Sequence, residues 1–280
     1  LSTRRQRQMC IRDRYKIGTR RFGSINWIGA WTLYKKEVLR FLIVWIQTLL
    51  SPLITSLLFL SVLSLAIGND RGDVLGVPFI VFLAPGLIAM QIIQQAFSHS
   101  SSSFMIGKIQ GNIVDLVYAP LSAGEVTLAV TLASVTRSVL IAIISLLVFY
   151  LFIDLEIKNF TTLIAFTFLS AFSLGALGII AGLWAEKFDH MATVTNFIII
   201  PLSFLSGTFY SIERLPETLQ IISKANPFFY MIDGFRYSFL GQSDGSIFFG
   251  LIYLSISSLL IWFIAYISVS YTHLTLPTSG

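Results

Sequence analysis

Gln91, Gln94, Gln95 and Ser98 stand at i, i+3, i+4 and i+7 inside a strongly apolar stretch. In a helix of about 3.6 residues per turn that spacing gathers three amides and a hydroxyl on one stripe. Such groups donate and accept hydrogen bonds. Against hydrocarbon they would lose their partners, so the stripe must face protein or water. Two readings fit: the wall of a cavity open to the cytoplasmic side, and hydrogen bonding between helices of a bundle. The remaining reactive types do not converge. The only cysteine, Cys10, lies in an atypical head, and His99 and His190, read as lying at span ends, have no second histidine or acidic cluster at ligand spacing. The acids are scattered, with Asp70 and Asp73 alone in a predicted outer loop, which gives no catalytic constellation.

Two further charges need an account. Arg137 falls within an apolar stretch, where a mid-bilayer arginine costs about 2.5–3.5 kcal/mol on insertion scales. If the span starts at Ala133 it snorkels to the headgroups, and this is the favoured reading; if the span starts at Val126 it must face a cavity or an acid. Asp233 and Arg236, three apart, are spaced so that they could pair on one helical face, although an exposed pair is worth at most about 1 kcal/mol.

The elements that position these residues follow from composition. With 55% apolar and 12% charged residues and a mean hydropathy of +0.79, the chain lies far from soluble domains, which carry about 25% charge. Six stretches satisfy the roughly 20 residues a bilayer core requires: 41–67, 79–97, 126–153, 163–185, 197–208 with its flanks, and 247–269. Pro52, Pro85 and Pro201 predict kinks within them. The net charge of +5 comes largely from five arginines in 1–14, so it carries no nucleic-acid signal. That head and the tail 270–280 resemble translated adaptor or vector sequence and stand outside the fold reasoning, which leaves a single domain over 15–269. Counting Lys and Arg puts both termini in the cytoplasm.

Around the spans, Trp27, Trp31, Tyr34 and Val38 predict a helix lying along the headgroups, with Lys35, Lys36 and Arg40 on its other face. Met105–Leu116 predicts a short amphipathic helix with Ile106, Ile109, Ile113 and Leu116 on one stripe, closed by Ala119-Pro120. Small residues Ala171, Gly175, Gly178 and Gly182 predict close helix packing. Leu215-Pro216-Glu217 opens a helix that ends at Asn226-Pro227. The aromatic-rich segment after it predicts a second short helix at the bilayer interface.

At ANPFFYMIDGFRYSFLG, residues 225–241, the chain resembles the permeases of ABC type-2 transporters through Asn226, Pro227 and Arg236. The stretches PLSFLSGTFYSIERLPETLQ and FLAPGLIAMQIIQQAFSHSSSSF are similar to the same family. The resemblance implies an all-α membrane protein of six spans, with an N-terminal interfacial helix, a cytoplasmic coupling helix and two short outer re-entrant helices before the last span. It implies an exporter subunit in the bacterial inner membrane, paired with a second permease copy and a soluble ATPase. On that reading Gln91, Gln94, Gln95, Ser98, Phe204 and Thr208 line the substrate pathway. Ile106, Lys108, Ile109, Ile113 and Leu116 form the coupling helix, and Asn226, Pro227, Asp233 and Arg236 form an outer-gate motif. No G-x-x-x-x-G-K-[ST] occurs, so this chain is expected to bind no cofactor, and ATP and magnesium belong to the partner. A secondary transporter, which would favour inverted repeats and paired intramembrane charges, and a membrane-embedded transferase are the competing classes.

Overall fold

The computed structural model describes residues 25–67 and 74–275. The head, Lys16, Arg20, Arg21, Asp70, Arg71 and Asp73 lie outside the described residues. In chain order the helices are α1 (Trp27–Ile43), α2 (Ser51–Ile67, entered through a π-helical turn Ile46–Leu50), α3 (Phe79–Ile109), α4 (Ile113–Tyr118), α5 (Ala123–Tyr150) and α6 (Phe160–Trp184). They continue with α7 (Phe188–Val194), a π-helical turn Thr195–Ile199, α8 (Ile200–Leu205), a 3-10 turn Ile212–Arg214, α9 (Glu217–Ala225), α10 (Pro227–Leu240) and α11 (Ile247–Thr275). No sheet forms among the described residues; Val74 and Val77 make an isolated bridge.

Six segments among the described residues are long and apolar enough to cross a membrane: Ile46–Ala66, Phe79–Ile109, Ala123–Tyr150, Phe160–Trp184, Phe188–Leu205 and Ile247–Tyr271. They match the six predicted stretches with shifted limits. The first span starts later than expected, because the chain breaks at Val44 and Phe41 closes the preceding helix, buried against the His99 ring. Prolines explain the two π-turns. Pro52 and Pro201 have no N–H to return to the preceding turn, and in each case the residue before proline bonds five back instead, Ser51 N–H to Ile46 O and Ile200 N–H to Thr195 O. Pro85, by contrast, lies inside an unbroken α3.

The core is α3 packed on α5 and α6. In α3, 72% of the most apolar window is buried, against 17% in the first, fifth and sixth spans, which form the periphery. The small-residue stripe of α6 makes the tight approach. A Cβ on Gly178 would sit 2.5 Å from Phe97 O, and one on Gly182 would sit 2.7 Å from Ser101 O, so only glycine lets the two backbones touch.

Two sequence expectations are corrected. The predicted short helix Met105–Leu116 is not one element. The second span runs on to Ile109, the chain turns through Gly111 at φ 74°, and the short helix is Ile113–Tyr118. His99, expected at a span end, therefore stands well inside α3 and is fully buried.

Candidate functional site

The amide stripe opens onto a cavity of about 820 Å³ between the first span, α3 and the end of the fifth span. Gln91, Gln94, Gln95, Ser98 and Phe204 line it; Thr208 does not, being buried with its hydroxyl donating to Ser203 O at 2.7 Å. The stripe divides by role. Gln91 is buried, donates to Pro52 O at 2.9 Å and accepts from Ser145 Oγ at 2.9 Å, tying the first span and α5 to α3. Gln95 accepts from the Arg137 guanidinium. Gln94 and Ser98 line the cavity and make no side-chain hydrogen bond among the described residues. The two readings of the stripe thus apply to different residues.

Arg137 corrects a further expectation. Its helix starts at Ala123, so the residue stands midway along α5, and the side chain turns inward to Gln95 rather than snorkelling. Beside it is a polar cluster that sequence reasoning missed. Glu37 is buried on a face of α1 shared with Leu33 and Phe41, accepts from Arg40 Nε at 3.0 Å and Ser103 Oγ at 2.8 Å, and lies 3.8 Å from His99 Nε2. Arg40 also donates to His99 O at 3.2 Å. The usable signal was Glu37 flanked by Leu33 and Phe41 at i−4 and i+4, which places a carboxylate on the packing face of α1. Of the predicted stripe on α1, Trp27 and Trp31 point outward at 67% and 64% exposure, while Tyr34 and Val38 are half-buried and Tyr34 shares a hydrogen bond with Thr136.

At the opposite end, the Asn226 to Arg236 segment fastens to one turn. Asn226 accepts from Phe228 N–H at 3.1 Å as the N-cap of α10, with Pro227 at the first helical position, and donates to Ser206 Oγ at 2.8 Å. Arg236 is 1% exposed, donates to Gly207 O at 2.6 Å and Thr208 O at 3.4 Å, and stands 3.9 Å over the Phe82 ring. Gly86 leaves the space: a Cβ there would come within 2.7 Å of Thr208 O. The exposed pairing with Asp233 that the spacing allows does not occur. Asp233 is also buried and accepts from the backbone amides of Asp244 at 2.9 Å and Gly245 at 3.0 Å. Burial pushes its carboxyl up to about 6, against the opposing pull of the Asp244 amide and the Arg236 guanidinium. Both ions are held by main-chain groups because a buried charge needs dedicated partners.

The turn between α3 and α5 presents Ile109, Val114 and Tyr118 at 55%, 45% and 76% exposure. Ile113 and Leu116 pack back onto a buried cluster that includes Leu33, Phe104, Val126 and Val130, and Ile106 faces the cavity, so the predicted stripe is split between three surroundings. Lys108 donates to Leu183 O and, at 3.1 Å, to Ala185 O, capping the C-terminal carbonyls of α6 and fixing the turn to that helix. At the other edge Asn26 N–H donates to Glu125 Oε1 at 2.6 Å, and Asn26 Nδ2 donates to Pro120 O at 3.1 Å, which staples the start of α1 to the same turn.

An all-helical chain with six candidate spans, a polar-lined cavity between them and an exposed turn braced from two sides describes a polytopic membrane permease. Residues 29–240 match the family described as ABC-2 type transporter, and the chain belongs to it. It is 33% identical over 220 residues to an inner membrane transport permease, YadH, of Escherichia coli strain K12, covering 79% of this chain and 86% of that one. It is 26% identical over 233 residues to nodulation protein J of Rhizobium leguminosarum bv. viciae, covering 81% and 86%. The chain is therefore a permease subunit of an ABC transporter, from a family whose membrane subunits carry no nucleotide-binding domain.

Proposed function

We propose that the chain exports an amphipathic or lipid-linked substrate from the cytoplasm, working as one of two permease copies, each served by a soluble ATPase that holds the ATP and magnesium. The observation that carries this reading is the cavity. Gln47 and Ser51 of the peripheral first span and Ser98 of α3 border it with exposed side chains, which lipid would leave unpaired, so a second copy facing them supplies the missing wall and encloses a polar path. The termini lie in the cytoplasm, the α3–α5 turn receives the ATPase, and α1 lies along the inner headgroups with its indoles at the interface. Residues Glu217–Ala225 and Pro227–Leu240 are half-inserted from the outer side, with Asn226, Pro227, Asp233 and Arg236 holding the outer closure. The native domain spans 15–269.

The bracing of the turn supports its role in coupling. A push on Ile109–Tyr118 is carried to α6 through Lys108 and to α1 and α5 through Asn26 and Glu125, so the turn and the walls of the cavity move as one. In the test, the permease is purified with an ABC ATPase encoded beside it, and Tyr118→Cys in a Cys10→Ser background is probed with a thiol-to-amine cross-linker. A cross-link to the ATPase, strengthened by ATP, is expected. Transport that persists with the ATPase disabled would overturn the reading in favour of a secondary carrier.

A further inference from the structure

The residues lining the cavity include two guanidiniums, Arg40 and Arg137, and no carboxylate. Glu37, the one acid near them, is already engaged by Arg40 and Ser103. Arg137 is 7% exposed, forms no ion pair among the described residues, and its Nε is buried with no partner. The Gln95 carbonyl accepts one of its bonds but does not neutralise it. A guanidinium held this way in a poorly solvated wall suits an anion, because bidentate contact with a phosphate or carboxylate satisfies both its charge and its donors. Gln94 and Ser98 add neutral donors to the lining of the same cavity.

The rest of the cavity states what the anion is attached to. Toward the other end of the bundle its wall becomes Leu87, Phe59, Phe204 and Phe209, with the Phe59–Phe209 and Phe204–Phe209 ring centroids 6.3 Å and 5.3 Å apart. A ligand filling this space is charged at one end and apolar at the other. We propose that the cavity selects amphiphiles bearing an anionic head group, with Arg137 as the anchor for the charge and the three phenylalanines as the seat for the chain. This rests on the pathway reading above and names its substrate class.

The test measures binding without the ATPase, so that it fails or succeeds separately from transport. The purified full chain in phosphatidylcholine nanodiscs is labelled with diazirine-bearing palmitate and, in parallel, with its uncharged methyl ester, and labelled peptides are mapped. Palmitate is expected to label the 87–110 and 197–209 segments. Arg137→Gln, which removes the charge but keeps a partner for Gln95, is expected to lower this labelling roughly tenfold or more, the equivalent of one charge-assisted hydrogen bond. Arg137→Lys retains much of it. Gln94→Glu, which sets a carboxylate in the cavity without touching Arg137, lowers it independently should Arg137→Gln fail to fold. Dodecyl phosphate competes and inorganic phosphate at equal concentration does not. Equal labelling by acid and ester, no effect of either variant, or equal competition by inorganic phosphate would overturn the proposal. Charge-selective labelling in a complex whose transport survives a blocked cavity would keep the anion site and refute the pathway reading.

Discussion

Gln94 and Gln95 are neighbours in sequence with opposite duties, and replacing each by leucine separates them. Gln95→Leu removes the acceptor of a buried guanidinium; a hydrogen bond to a charged group contributes about 1.5–3 kcal/mol, and more when the remaining charge is left unpaired. Gln94 has no side-chain partner among the described residues and is half-buried at the cavity wall, so Gln94→Leu should change stability by no more than about 0.5 kcal/mol. For a chain of this size each kcal/mol moves a melting temperature by about 2–4 °C, so Gln95→Leu is expected to melt roughly 3–12 °C early and Gln94→Leu within about 2 °C of the parent. The melt is followed by tryptophan fluorescence in a single detergent. A companion measurement reads the cavity directly. In a Cys10→Ser background, Gln94→Cys should react with a water-soluble maleimide in membranes, and Gln91→Cys, buried between Pro52 and Ser145, should stay unlabelled. Equal melting of the two leucine variants, or equal labelling of the two cysteines, would refute the division of the stripe into packing and cavity residues.

Arg236→Met keeps most of the apolar stem but strands Gly207 O and Thr208 O and removes the charge over Phe82; the expected loss is about 3–5 kcal/mol, read as a lowered melting temperature, and a variant as stable as the parent would show that the buried guanidinium organises nothing. Gly178→Leu cannot fit against Phe97 O, so folded yield on size exclusion should collapse, whereas Gly124→Ala, with only Tyr266 atoms 3.6 Å from the added carbon, should be tolerated. Lys108→Met frees the α6 carbonyls and should cut ATP-dependent cross-linking at Tyr118 without changing membrane insertion; unchanged cross-linking would mean that the turn is held without its lysine.

The spans were legible because the bilayer imposes a length and an apolarity that the sequence displays directly. All six emerge near the expected positions, and so do the two short helices flanking Asn226. Their ends were less legible. Polar residues from Ser98 to Lys108 suggested a loop after the second span, yet a long helix carries them, because α6 and α1 cover those side chains with backbone and carboxylate partners that no local pattern announces. The glycine stripe of α6 was read correctly as packing, since a missing Cβ has one evident use when it recurs at helical spacing.

Charges were the least legible part, for a single physical reason. A buried ion takes its meaning from the partner that accepts it, and here the partners are distant in sequence or belong to the main chain. Asp233 and Arg236 sit three apart and look like a pair, but each is held by loop amides or carbonyls brought in from the ends of other helices. Arg137 looked like a headgroup anchor because nothing nearby in sequence answers it. In the folded chain an amide answers it in part and its side chain lines the cavity, which sets it apart from Arg236, held by main-chain carbonyls away from that cavity. The difference between these two arginines is the difference between a strut and a binding group. Both are buried cations on helices, but only one borders open space with donor capacity left over, and that is where a ligand's charge has something to do.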